Sequence, residues 1–185
     1  MKKAKQQKTK NNDPALSADE LKQLSMGNAE KTYECCVPAD KRKYENKLWN
    51  WKNRLFFKAN IAQLFHMPSG MDRIMSNDYP RLLNSGNVAE NIWLIREKNA
   101  FSAELLIPIK RKEGKISTTI ISGRFVSKLF QGKSYKQTNE WVKDMLYYCE
   151  TKEYDVKKLL FFYPLCPKCV KKYKAVQAVI FAQIG

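Results

Sequence analysis

Ile61-Ala62-Gln63-Leu64-Phe65 recurs 65 residues later as Val126-Ser127-Lys128-Leu129-Phe130, and this pair of strand-like stretches decides how the chain is organised. Each copy is followed, after a short turn, by a stretch with helical spacing of apolar residues. The first helix is expected over residues 71–83 and the second over 135–149, where Trp141, Met145 and Tyr148 share a face. Each helix leads to two strands, 91–95 and 103–107 in the first half, 158–163 and 178–182 in the second. The polar residues 96–99 read as the turn of the first hairpin. The order is βαββ twice, which places the chain in the α+β class, with repeat 1 over about 55–110 and repeat 2 over about 116–185. One βαββ unit buries a single face of its sheet, so two copies are expected to pair into one mostly antiparallel sheet with the helices on one face. The groove between copies is then the natural place for a ligand.

Residues 1–32 read as a basic, partly disordered N-terminal segment, and 33–185 as a single domain. Residues 1–14 lack apolar periodicity, while Ser17-Ala18-Asp19-Glu20 resembles a capping box opening a short helix. A chain of 185 residues with 44% hydrophobic and 12% aromatic content supplies one full core rather than two. The basic start lacks the apolar run of a signal peptide, and no stretch approaches the roughly 20 apolar residues of a membrane span. A cytoplasmic protein with no membrane partner is expected. The five cysteines, placed as Cys35-Cys36, Cys149 and Cys166/Cys169, are too few and too uneven for a disulfide framework. A formal charge of +16 suits acidic partners. Five lysines, however, sit in the first ten residues, and the others form no basic stripe interleaved with stacking aromatics. Specific nucleic-acid binding is therefore not the expected role.

The stretch Ser122-Gly123-Arg124-Phe125 through Phe130-Gln131-Gly132, followed by Tyr135 and Trp141, resembles the signature of gyrase-inhibitor-like (GyrI-like) domains. The ending Phe162-Tyr163-Pro164-Leu165-Cys166-Pro167-Lys168-Cys169, with Cys35-Cys36 upstream and Phe65-His66-Met67-Pro68 between, resembles a bacterial branch of that superfamily labelled "hydrolase". The resemblance spans residues 33–185 and implies a doubled βαββ fold. It also implies one of two activities: holding small aromatic or cationic molecules in the cleft between repeats, or hydrolysing reactive cyclopropane-bearing compounds with carboxylates inside that cleft. This chain departs from the pattern where Gly132-Lys133-Ser134-Tyr135 replaces Gly-Pro-Tyr, and where Lys174 stands in place of a glycine. Its last two strands contain no Asp or Glu.

Glu90 and Glu104 flank the first hairpin. Glu104 is the candidate catalytic group, because a carboxylate desolvated on a cleft-facing strand has a raised pKa and can activate water or hold a cation. Glu90 is a candidate ligand-binding residue. Trp93, Trp141, Tyr135, Tyr163 and Phe181 are the aromatics expected to stack on a planar or cationic ligand, with core packing the alternative for each. Trp49 and Trp51, on one face if extended, read as a lid or cover strand.

Cys166 and Cys169 in a Cys-x-x-Cys turn are expected to supply half of a zinc site, with Cys36 or Cys35 and the single histidine, His66, as the remaining candidates. Redox use, with Cys166 attacking and Cys169 resolving, is the competing chemistry, and idle thiols are the third reading. On residues alone, then, the chain is a small-molecule binder or hydrolase. A zinc-stabilised module for an acidic partner and a thiol oxidoreductase are the alternatives.

Overall fold

The computed structural model describes residues 36–64 and 67–185. Cys35, Phe65, His66, the basic tail and the expected cap at Ser17–Glu20 lie outside the described residues.

The element order is α1 (Lys41–Tyr44), β1 (Lys47–Leu64), β2 (Met67–Ser69), α2 (Met71–Asn84), β3 (Leu94–Asn99), β4 (Ser102–Pro108), β5 (Thr118–Gly132), α3 (Thr138–Thr151), β6 (Val156–Phe162), α4 (Pro167–Tyr173) and β7 (Val176–Ile184). Strand, helix and two strands therefore occur twice, and the first motif residues Ile61 and Val126 occupy equivalent places, both buried against the helices. A single 3-10 turn over Tyr135–Gln137, capped by the Ser134 hydroxyl, precedes α3. It absorbs the extra residue of the Gly132-to-Tyr135 turn.

Every strand pairing is antiparallel, in the order β2-β1-β4-β3-β6-β7-β5, and β1 also pairs with β5. The second pairing closes the sheet into a ring. It runs from Lys47↔Ser127 to Phe57↔Thr118, broken by a bulge between Trp51 and Arg54. Gly123 sits opposite Trp51 at that bulge with φ +135°, and a Cβ there would lie 2.7 Å from the Gln183 amide nitrogen. Only glycine takes this backbone without strain, which gives the Ser122-Gly123 part of the signature its physical meaning.

The two faces of the ring are packed differently. On one, Ile74 and Leu82 of α2 and Trp141, Met145 and Cys149 of α3 cover Phe57, Ile61, Ile95, Leu105, Ile107, Val126, Phe161 and Ile180. The burial of Trp141, Met145 and Cys149 follows the i, i+4, i+8 spacing of one helix face. Both long helices thus lie on one side, as the doubled unit requires. The other face is the inside of the ring, filled by Trp51, Phe56, Leu94, Leu106, Phe125, Leu160, Val179 and Phe181 and plugged by Tyr44 of α1. Trp51 and Phe125 pack with ring centroids 4.2 Å apart. A ring of so few strands is only wide enough for its own side chains, so the aromatics here are core rather than a ligand platform.

Several boundaries differ from expectation. The first strand of hairpin one begins at Leu94 and continues through Asn99, so Arg96 and Glu97 are strand residues, not turn. A cross-strand ion pair, Arg96 opposite Glu104, supports the extension. The Cys-containing connection between β6 and β7 is a short helix instead of a bare hairpin, because Pro167 occupies its first turn and Cys166 provides an extended N-cap. Lys174 ends that helix in the left-handed conformation, φ 51°, the place where the related pattern carries glycine.

Candidate functional site

The repeats meet along two lines that differ in kind. β1 and β5 form a long ladder, but β3 and β6 share only the pairing Ile95↔Phe161. Past that pair the strands diverge and leave an opening of about 590 Å³ lined by Arg96, Glu97, Lys98, Glu104, Val142, Lys158, Leu159 and Phe161. Residues from β3 and β4 of the first repeat thus face residues from β6 and α3 of the second. The floor is apolar, from Val142, Leu159 and Phe161; the walls are charged. A smaller cavity of about 140 Å³ adjoins it and shares Arg96 and Lys158, with Ile121, Ser122, Phe125, Leu160 and Gln183 around the rest.

Glu104 is the most constrained group at this opening. Its side chain is only 5% exposed, and Arg96 Nη2 and Nε lie 2.6 Å and 2.8 Å from Oε2, with Lys98 Nζ 3.1 Å and Lys58 Nζ 3.7 Å from Oε1. Burial pushes its carboxyl pKa up, but the hydrogen bonds from Arg96 and Lys98 and their charges outweigh it, so the pKa lies below the ordinary carboxyl value. This direction is opposite to the one expected for a desolvated base. The carboxylate stays ionised, and both oxygens are engaged by cations. Lys98 also reaches Asn60 Oδ1 at 3.2 Å, which fixes its position on the β3 edge.

The other candidate groups sit elsewhere. Glu90, in the loop before β3, pairs with Arg54 at 2.8 Å and is half exposed. Trp141 stacks on Phe130 in the helix-facing core, centroids 6.2 Å apart, and Phe181 lies among the interior aromatics. Trp93 is half-buried between Tyr79 and Phe162. Tyr163 is buried, and desolvation raises its phenol pKa well above the usual range. None of these five lines the opening.

Tyr163 and Tyr135 nevertheless connect to it. Phe161, in the floor, stacks nearly parallel on Tyr163, and Tyr163 meets Tyr135 edge-on at 5.6 Å. The Tyr135 hydroxyl donates to the Leu165 carbonyl at 3.4 Å. That carbonyl immediately precedes Cys166, where a second constellation begins.

Cys36, Cys166 and Cys169 bring their sulfurs within 4.8 Å of one another. Cys166 caps α4 and Cys169 follows in its first turn, an arrangement closed by the Val170 amide donating to the Cys166 carbonyl at 2.9 Å. Cys36 arrives from 130 residues away and its sulfur accepts the Cys166 amide at 3.3 Å. The Ala39 amide, bonded to the Gln177 side chain at 2.8 Å, pins the same segment to β7. Leu165, Val170 and Tyr173 pack around the sulfurs, leaving Cys166 half-exposed and Cys36 and Cys169 buried. Desolvation raises the Tyr135 phenol pKa, and the nearby Cys166 and Cys36 add to that effect. Cys149 is separate, in the helix-facing core.

Sequence reasoning found Glu104 and three of the clustered cysteines but missed Arg96, Lys98, Lys158 and Phe161. The Arg96-Glu97-Lys98 run was the available signal, and treating it as a turn concealed it.

The doubled βαββ order with two long helices on one face is the fold that the GyrI-like resemblance implies. The chain belongs to the family described as bacterial hydrolase, which matches residues 26–184. Among solved structures it is similar to the EcmrR C-terminal domain, at 11% identity and TM-score 0.52, over 77% of this chain and 98% of that one. It is also similar to SAV2435 bound to tetraphenylphosphonium, at 10% identity and TM-score 0.44, over 76% of this chain and 94% of that one. At such identities the likeness concerns the fold. A search of the curated proteins gave no match.

Proposed function

We propose that this protein binds a small molecule with a planar apolar body in the opening between its repeats. The observation that carries the reading is the divergence of β3 and β6 beyond Ile95↔Phe161, which leaves about 590 Å³ floored by Phe161, Leu159 and Val142. That volume lies within the roughly 300–1,000 Å³ of small-molecule sites, and an apolar floor with a few fixed polar groups is their usual composition. A flat ring laid on Phe161 gains area burial and a stacking contact together. Binding without turnover is the favoured activity. A hydrolytic base needs a carboxylate with an oxygen to spare for water, whereas Glu104 is held by Arg96, Lys98 and Lys58 and acts as their anchor. The family description keeps hydrolysis as the second activity to assay.

The test is a thermal-shift and calorimetric screen of planar aromatic compounds against the protein and Leu159→Trp, whose indole fills the opening. Ligands that stabilise the first and not the second support the reading; equal binding to both places the ligand elsewhere.

A second reading concerns the cysteines: Cys36, Cys166 and Cys169 supply three thiolate ligands to a structural zinc ion. Three soft donors, brought within 4.8 Å of each other from two distant segments, favour it. Tetrahedral zinc with bonds of about 2.3 Å needs sulfurs separated by about 3.8 Å, which small side-chain rotations supply. Bound zinc would cross-link the segment around Cys36 to α4. Elemental analysis of the purified protein, with chelator titration followed by thermal melting, tests this; metal-free protein with an unchanged melt under added zinc would refute it.

A further inference from the structure

The ligand class follows from the charges around the opening, on the reading that the opening is the binding site. Arg96, Lys98 and Lys158 line it against Glu97 and Glu104. A further cation, Lys58, reaches Glu104 from the neighbouring strand at 3.7 Å. Cations therefore outnumber carboxylates by two in this cluster. They are not equally occupied. Arg96, Lys98 and Lys58 all converge on Glu104, whereas no ion pair among the described residues involves Lys158.

The imbalance is local. Lys98 of β3 and Lys158 of β6 both line the opening, from the two strands that part after Ile95↔Phe161, together with Arg96 and Glu104. Ammonium groups bordering one gap repel, and Glu104 is already shared by Arg96, Lys98 and Lys58. An anion placed between them relieves that repulsion. It also meets Arg96, which with Lys158 borders both cavities and whose planar fork suits a carboxylate or other oxyanion. A cationic ligand would instead add like charge to a site already positive.

We infer that the opening selects an organic anion whose planar apolar ring covers Phe161 and Leu159 while its anionic group lies between Lys158 and Arg96.

The experiment compares three probes sharing one ring system, naphthoate, naphthylmethylammonium and naphthalenemethanol, by calorimetry on the full chain, on Lys158→Glu, and on Lys133→Glu. Lys133 is exposed and does not line the opening, so its variant controls for attraction of any anion to a chain of net charge +16. The expected result is naphthoate binding at least tenfold more tightly than the ammonium compound. Lys158→Glu lowers naphthoate affinity at least tenfold and reverses the order, while Lys133→Glu changes it less than threefold. Equal or tighter binding of the ammonium or the alcohol overturns the anion assignment and leaves the opening as the small-molecule site. Equal loss in both lysine variants also overturns it, as diffuse attraction. Failure of all three probes to bind, with no difference from Leu159→Trp, removes the site and the inference together.

Discussion

Ile95 and Phe161 are the one residue pair through which β3 and β6 join in register, and the floor of the opening starts at that pair. Phe161 is 2% exposed and stacks on Tyr163. It therefore serves the core and the opening at once.

Phe161→Ala is expected to cost about 3–5 kcal/mol, the usual range for emptying a buried phenylalanine site. Because the vacated space adjoins the opening, the variant should also lose affinity for planar ligands. Chemical denaturation and calorimetry check the two effects separately; a loss of less than about 1 kcal/mol would mean the pair is not structural.

Glu104→Gln leaves Arg96, Lys98 and Lys58 without their shared counter-ion. Removing one partner of a buried pair costs about 3–5 kcal/mol, but the partners are between a quarter and a half exposed, so about 1–3 kcal/mol is expected. The pH dependence has a definite sign. Since the folded carboxyl titrates below its ordinary value, its stabilisation is complete above that ordinary value and is lost as pH falls through the lowered one. Urea melts at neutral and at acid pH should converge for wild type and Glu104→Gln in acid. Parallel curves at all pH values would contradict the ion-pair account.

Gly132→Ala tests the Gly-to-Trp part of the signature. A Cβ at Gly132 would lie 2.8 Å from Trp141 Cζ2 and closer still to the Gln137 side chain, so the indole or the 3-10 turn must shift. The expected cost is about 1–3 kcal/mol, typical of overpacking. A melting temperature equal to wild type would show that the turn yields freely.

Lys174→Gly should stabilise. A non-glycine residue in the left-handed region costs about 1–2 kcal/mol, and glycine gives back part of that gain through its freer unfolded chain. A net increase of about 0.5–1 kcal/mol is expected from equilibrium denaturation, and any decrease would indicate that Lys174 makes an interaction worth more than its strain.

The repeat was legible because periodicity and the 65-residue offset are local and repeated properties. Ile61 and Val126 report it, and both occupy the same buried place. The closure of β1 onto β5 was not legible. Trp49 and Trp51 looked like a cover strand, and nothing in their neighbourhood reveals that Phe125, more than 70 residues on, would pack against Trp51. That long-range closure fills the interior with Phe181 and its neighbours, which is why Phe181, expected at a ligand site, is core. Glu104 was found from its strand context, but its state depends on Lys58, Arg96 and Lys98 converging from two other strands, and such convergence has no sequence pattern. The cysteine cluster was half visible: the Cys-x-x-Cys spacing pointed to Cys166 and Cys169, and only the fold selects Cys36 as their neighbour. Cys35 and His66 lie outside the described residues.

Ring closure has a consequence for how these molecules behave when concentrated. An open sheet ends in two rows of unpaired peptide groups that template strand addition by another copy and lead to fibres. Here β1 and β5, which would be the exposed margins of two joined repeats, bond to each other. The margins that remain among the described residues include the edges of β3 and β6 that part beyond Ile95↔Phe161, which carry Arg96, Lys98 and Lys158, and the short β2, with β1 as its single neighbour. Strand β2 is three residues long and contains Pro68, which has no amide proton to offer an incoming strand. Closure of β1 onto β5 thereby removes two long edges on which a cross-β stack could start, and the Arg96, Lys98 and Lys158 charges on the parted β3 and β6 edges oppose an incoming strand there.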